Sequence, residues 1–221
     1  MLLNLDAGER DDEPEELWRL FDVLSIACGG HAGDAASMTR VVACCTEGGP
    51  RIGAHPSYPD RAGFGRRTMA IAPEALAASI AEQCAALAAI ASLHGREVEY
   101  VKPHGALYHD AAREPVARAV LDGVIAALGT NVTVIGPPRG PLRDGALARG
   151  LRYAREGFAD RRMRDDGSLV PRSEPDALIV DPARAAAQAV ALAHAVETIC
   201  VHADTPNALA IARAVREAVH G

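Results

Sequence analysis

Residues 23–34 read VLSIACGGHAGD, and the order of residue types in this stretch decides the fold. The apolar, β-branched run 23–28 reads as a buried strand. Gly29 and Gly30 suit a turn and a close approach of backbone to ligand. His31 follows, and Asp34 carries the side chain to cap a helix over 35–48. Three other segments end in the same way: RIGAH at His55, EYVKPH at His104 and TICVH at His202. In a parallel αβ protein the carboxyl ends of the strands gather on one rim, where ligands bind. Four imidazoles from four distant parts of the chain are therefore expected to meet there.

Outward from this unit, strand-like runs fall at 2–6, 51–54, 98–103, 131–136, 151–154, 177–180 and 198–202. Helical patterns occupy 74–94, 115–128, 182–196 and 206–219. Pro73, Pro115, Pro182 and Pro206 stand at helix starts, and Thr205 is placed to cap the last helix. Strands alternating with helices predict an α/β fold with a mainly parallel sheet. Seven or eight strands in 221 residues favour a closed or nearly closed β/α barrel in a single domain, residues 1–221. A doubly wound sheet is the alternative. The loop from Pro56 to Arg67, rich in Gly, Pro and Arg, reads as a lid or substrate loop.

Composition narrows the partners. The net charge is −6 and there is no basic run, which argues against nucleic acid. The apolar stretch 75–94 carries Glu82 and Gln83 and reads as a packed helix, not a membrane span. The start, MLLNLDAGER, lacks a signal-peptide layout, and five cysteines without a CxxC pair suit a reduced cytoplasm. Of 23 basic residues, Lys102 is the only lysine. Lysine offers a compact ammonium whose pKa shifts on burial, which arginine does not. The P-loop, GxGxxG, GxSxG and HExxH signatures are absent.

The candidate residues follow from these segments. Asn4 and Asp6 share one strand face, and Glu9 follows in the loop. Lys102 and His104 share another face and suit an anion, or one imidazole held neutral. Asp6, His55, Lys102, His104 and Glu156 are read as catalytic. Asn4, His31, Tyr58, Arg66, His202 and Asp204 are read as substrate-binding, with Asp204 reaching back to orient His202. One of Arg66 and Arg67 is expected to clamp a carboxylate or phosphate. Asp160 and Arg161 read as a structural ion pair, Cys28 and Cys200 as small buried hydrophobes, and His109 as solvated. Asp6, His31 and His55 would suit a divalent metal.

Taken together, NLDAGE, IACGGHAGD, GAHPSYPDRAGFGRR, VKPHGALY, EGFADRR, SLVPR and CVHADTP resemble, in order, the motifs of the LamB/YcsF family, regarded as the A component of prokaryotic 5-oxoprolinase. The resemblance covers almost the whole chain. It implies a seven-stranded β/α barrel like that of the glycoside hydrolase/deacetylase superfamily. It also implies opening of 5-oxoproline to L-glutamate, with ATP as co-substrate and subunits B and C as partners. Gly30 stands where the family usually has Phe, Leu5 replaces a usual Cys, Ser25 a usual Asn and Ala203 a usual Gly, and Met163 stands where an aromatic is common. These changes touch pocket walls more than ionisable groups. Two other classes compete: a metal-dependent hydrolase or deacetylase of a carbohydrate or amide, and a non-catalytic sugar- or peptide-binding barrel. The sequence leaves a homo-oligomer open.

Overall fold

The computed structural model describes residues 1–46, 48–164, 169–172 and 174–221; Ser168 of the SLVPR motif lies outside them. Along the chain run β1 (Leu2–Ala7), α1 (Glu15–Trp18), β2 (Val23–Ala27), α2 (Ala35–Cys44), β3 (Arg51–His55), α3 (Pro73–Leu93), β4 (Val98–Val101) and α4 (Gly105–Asp110). There follow α5 (Glu114–Leu128), β5 (Thr133–Gly136), α6 (Pro141–Ala148), β6 (Arg152–Phe158), α7 (Pro182–Leu192), β7 (Thr198–His202) and α8 (Ala208–His220). Each strand pairs in parallel with the next, and β7 closes on β1 through partners such as Asp6 and His202. The expected barrel is present, and the doubly wound alternative is excluded.

Strand alternation sorts the side chains into two shells. Leu3 and Leu5 on β1, Leu24 and Ile26 on β2, and Ile52 and Ala54 on β3 belong to the large core between barrel and helices. A smaller cluster of Val23, Tyr100, Ile135 and Ala154, with Leu2 packed against it, fills one end of the interior. Gly53 makes room there, because a Cβ at that position would lie 3.2 Å from the Cβ of Tyr100. Further along the strands the interior turns polar. Asn4 Nδ2 donates to Thr198 Oγ1 at 2.9 Å, and Asp6, Lys102, Glu156 and Cys200 follow. The barrel is thus plugged by apolar groups at one end and ionisable groups at the other.

Local chemistry explains most element boundaries. Asp34 accepts from the Ser37 N–H and caps α2 as expected, with Ser37 Oγ accepting from the Asp34 N–H in return. The apolar helix α3 buries Leu76, Ile80, Cys84, Leu87 and Ala91 in the core. Each such Leu or Ile contributes about 1.5–3 kcal/mol by burial. The run 177–180 is not a barrel strand. β7 already occupies the edge of β6, so Leu178 is left with one antiparallel bridge to Arg161, and the Ile179 N–H donates to the Asp160 carbonyl. β6 extends to Phe158, so Glu156 lies within the strand. Thr205 does not cap the last helix; its hydroxyl donates to Asp160, and α8 starts after Asn207, whose φ is 66°.

A close interhelical approach gives a stability test. A Cβ on Gly123 of α5 would lie 2.5 Å from the Ala77 carbonyl oxygen and 2.9 Å from the Ile80 Cβ on α3. Gly123→Ala is expected to cost about 1–3 kcal/mol by forcing the helices apart, read as a lower urea midpoint. An unchanged midpoint would mean the helices do not pack this closely.

Candidate active site

The carboxyl ends of the strands surround a cavity of about 510 Å³. Asp6, Glu9, His55, Lys102, His104 and His202 line it, with Tyr108, Phe158, Val170 and Pro171 as an apolar wall and Arg66, Arg161, Arg172 and Asp204 among its charged groups. Three groups of side chains organise it.

The first is centred on Lys102, just past the end of β4, where Pro103 stops the strand. Its buried ammonium donates to Asp6 Oδ1 at 2.7 Å, Asn4 Oδ1 at 3.2 Å and Cys200 Sγ at 3.2 Å, and lies 2.8 Å from Glu156 Oε1. Four acceptors surround three protons, so none is free for a ligand without breaking a protein contact. Lys102 is thus placed to position Asp6, its protons all directed at protein acceptors. Burial works against both charges of the pair. Asp6 nonetheless stays well below its ordinary pKa, held by His55 and Lys102, and the Asp6 carboxylate keeps Lys102 well above its own. Cys200 is part of this network and not merely a hydrophobe. Glu156 is fully enclosed behind Lys102, and its Oε2 meets no hydrogen-bond donor among the described residues.

The second is a histidine box. His55 Nδ1 donates to the Lys102 carbonyl at 2.7 Å, and His104 Nε2 donates to the Phe64 carbonyl at 3.0 Å. Their other nitrogens face each other at 2.9 Å. Glu9 Oε1 lies 3.0 Å from His31 Nε2, 3.1 Å from His104 Nδ1 and 3.7 Å from His55 Nε2. His31 stacks on His104 with ring centroids 3.6 Å apart and planes 2° apart, a packing suited to neutral rings. Burial pushes His31 down to about 4 and lowers His104 as well, against the pull of Glu9. Burial would raise Glu9, but its neighbours His104 and His31 outweigh it and the carboxyl ends below its ordinary value. Glu9 is carried over the barrel end by a turn at Gly8 (φ 71°), which Glu13 pins by accepting from the Gly8, Glu9 and Arg10 N–H groups and the Trp18 indole.

The third is a dyad. His202 Nδ1 lies 3.0 Å from Asp160 Oδ1, and Asp160 also accepts from the His202 N–H and the Thr205 hydroxyl. Burial disfavours the charged imidazole, but Asp160 outweighs it and His202 is raised above its ordinary pKa. Phe158 stacks on the ring at 5.7 Å.

Most of the sequence candidates converge here, with corrections. Asp160, not Asp204, orients His202; Asp204 Oδ2 accepts from Arg66 at 3.0 Å and Arg172 at 2.8 Å. Asp160 is consequently not the ion-pair partner of Arg161, which donates to the Val170 carbonyl. Tyr58 is buried away from the cavity and donates to Asp110 at 2.9 Å. Asn4 and His31 support cavity groups and do not line it. Asp6 joins the Lys102 network and also lies 3.4 Å from His55, whereas Glu9 is the carboxylate beside His31. Gly30 spares space for protein, since a Cβ there would lie 2.4 Å from both Gln83 Oε1 and Ser57 Oγ. Arg66 reaches the cavity, whereas Arg67 pairs with Asp60 at 2.8 Å. His109 is exposed, as expected, at the cavity's edge. Glu9, Glu13, Asp160, Cys200 and Arg172 have site roles that the sequence reading misses. Only Glu9 carries a signal, three residues after Asp6 in NLDAGE.

A closed seven-stranded parallel barrel with an ionisable cavity at its carboxyl rim defines the class. The LamB/YcsF family model matches residues 2–221, and the chain belongs to this family. It is 41% identical to the 5-oxoprolinase A component of Methylococcus capsulatus, covering 97% of this chain and 90% of that one. Its identity to the 5-oxoprolinase A component of Chloroflexus aggregans is 40%, covering 97% and 92%. It superposes on the crystal structure of lactam utilization protein from Thermus thermophilus with a TM-score of 0.90 at 36% identity, covering 99% and 95%.

Two measurements test this geometry. Lys102→Met removes the ammonium shared by the buried Asp6 and Glu156 and is expected to cost about 3–5 kcal/mol; a wild-type urea midpoint would contradict the buried pairing. His202→Gln tests the dyad through pH. Because the folded pKa of His202 is raised, its charged form adds stability that is complete below the ordinary imidazole pKa and disappears as pH rises through the raised value. The Tm advantage of wild type over His202→Gln is expected to shrink on raising the pH from about 6 to 9. A constant difference would show that the ring contributes no charge.

Proposed function

We propose that this chain is the lactam-binding component of an ATP-dependent 5-oxoprolinase, acting in the cytoplasm with partner subunits B and C. The observation that carries the reading is a cavity pairing carboxylate-binding arginines with an Asp-oriented histidine, in a chain whose relatives are named as the A component of 5-oxoprolinase. The solved relative named for lactam utilization supports the substrate class, and five free cysteines fit a reducing compartment.

In this reading the substrate carboxylate is held by Arg66 and Arg172, each of which gives Asp204 only part of its guanidinium fork. The ring methylenes lie on Tyr108 and Phe158. The ring nitrogen faces His202, whose raised pKa suits it to donate the proton that nitrogen takes as the C–N bond breaks. Asp6, kept ionised and aimed by Lys102, orients the attacking water. Ring opening of an unactivated amide is coupled to ATP: the amide oxygen accepts the terminal phosphoryl group, water adds to the same carbon, and the C–N bond breaks as nitrogen takes a proton. A second water then releases phosphate from the γ-glutamyl phosphate. The chain carries no P-loop, and subunits B and C are assigned a share in supplying the activation.

The test is 5-oxoproline-dependent release of phosphate from ATP by the chain alone and with subunits B and C. Turnover is expected only with the complete set, and His202→Gln in that set is expected to lower kcat by about 10²–10⁴-fold. Full activity from this chain alone would end the division of labour. A second reading, ATP-independent hydrolysis of a carbohydrate or amide by a metal-dependent barrel, is favoured by the histidine box; release of acetate from an N-acetylated sugar without ATP would select it.

A further inference from the structure

We propose that Glu9, His31, His55 and His104 form a binding site for a divalent transition-metal ion at the edge of the cavity.

The geometry is that of converging lone pairs. The Lys102 and Phe64 carbonyl oxygens can only accept, so they draw the single proton of a neutral His55 to Nδ1 and that of a neutral His104 to Nε2. The remaining nitrogens then face each other across 2.9 Å with no hydrogen between them. Two lone pairs at that distance repel unless a cation lies between or beside them. Glu9 Oε1 points into the same spot, and the four donor atoms lie within 4.8 Å of one another. Donors about 2.0–2.1 Å from a tetrahedral ion stand roughly 3.3 Å apart. Here the separations are 2.9 Å for His55–His104, 3.0 Å for Glu9–His31, 3.1 Å for Glu9–His104 and 3.7 Å for Glu9–His55. Small shifts bring Glu9, His55 and His104 onto one ion, and His31, now stacked on His104 with planes 2° apart, joins them by tilting out of the stack.

The surroundings point the same way. Backbone carbonyls that fix the outer nitrogens of ligand histidines are the usual support of a metal site. Three imidazoles and one carboxylate favour an ion such as Zn²⁺ or Co²⁺ over Mg²⁺. Among the described residues a second cluster of suitable side chains, Asp6, Cys200 and His202, is different. Lys102 already places an ammonium against Asp6 and Cys200, and a second cation there would meet its charge. The histidine box instead has Asp6 Oδ2 only 3.4 Å from His55 Nε2, adding negative charge beside the site. Glu9, His55 and His104 also line the cavity, so a bound ion is open to it. Such an ion, when bound, polarises a carbonyl or acidifies a water. The site stands on its own donors, whether or not the substrate is a lactam.

The experiment uses full-length untagged protein stripped with a chelator and titrated with CoCl₂, without lactam or ATP. Visible d–d absorption that saturates at stoichiometric Co²⁺, is abolished by ZnCl₂ and is unaffected by MgCl₂ is expected. Glu9→Gln and His31→Gln are expected to weaken Co²⁺ binding by more than about 100-fold, and exposed His194→Gln to leave it unchanged. ZnCl₂ is also expected to raise the Tm of wild type, a reading that needs no variant. No absorption and no Tm shift in wild type would overturn the site, as would a band that survives in the Glu9→Gln/His31→Gln double variant. Failure here leaves 5-oxoproline-dependent ATP hydrolysis untouched, so the two readings fail separately.

Discussion

The ammonium of Lys102 is the charge around which the open end of the barrel is built. It joins Asn4 and Asp6 from β1, Glu156 from β6 and Cys200 from β7. Without a central cation, two carboxylates enclosed in the barrel would repel each other and carry the full penalty of burial. A guanidinium is planar and larger, and its fork does not match acceptors arriving from several directions. That accounts for one lysine persisting in a chain that otherwise uses 22 arginines. It also recasts its role: the ammonium is saturated by protein, and its effect on chemistry passes through the position and ionisation of Asp6.

The same residue links to the histidine box by its backbone. The Lys102 carbonyl accepts from His55, which fixes the tautomer of that ring, while its N–H continues the β3–β4 ladder by donating to Ala54. Pro103 ends the ladder and His104 follows on the rim. One short segment, VKPH, therefore sets the acidic network and two of the three imidazoles. The dyad of His202 and Asp160 is built separately, from β7 and the loop after β6, and shares the cavity through the register of Asp6 with His202. Two arginines complete it, exposed Arg66 and half-buried Arg172, both held in place by Asp204.

Much of this is legible in the sequence because period-2 runs ending in histidine or lysine mark strand ends facing a rim. His55, Lys102, His104 and His202 stand out in that way, Asp6 by its place two residues after Asn4 on one strand face, and the barrel and the Asp34 cap are legible too. What escapes are contacts between segments far apart in the chain. The partner of His202 lies 42 residues away, and nothing local distinguishes Asp160 from Asp204. Glu13 holds the Glu9 turn from within a charged, unremarkable stretch. The run 177–180 has the composition of a strand, but ring closure leaves it no edge to join. Thr205 and Tyr58 have the right chemistry for a cap and a ligand contact, and tertiary partners claim both hydroxyls.

The most direct test of the central claim is the pose of 5-oxoproline soaked into crystals of this protein. The account predicts density in the cavity, with the carboxylate on Arg66 and Arg172, the ring nitrogen within about 3 Å of His202, and Lys102 still bound to Asp6. A lactam found outside the cavity, or one that pulls Lys102 away from Asp6 to take its carboxylate, would contradict it.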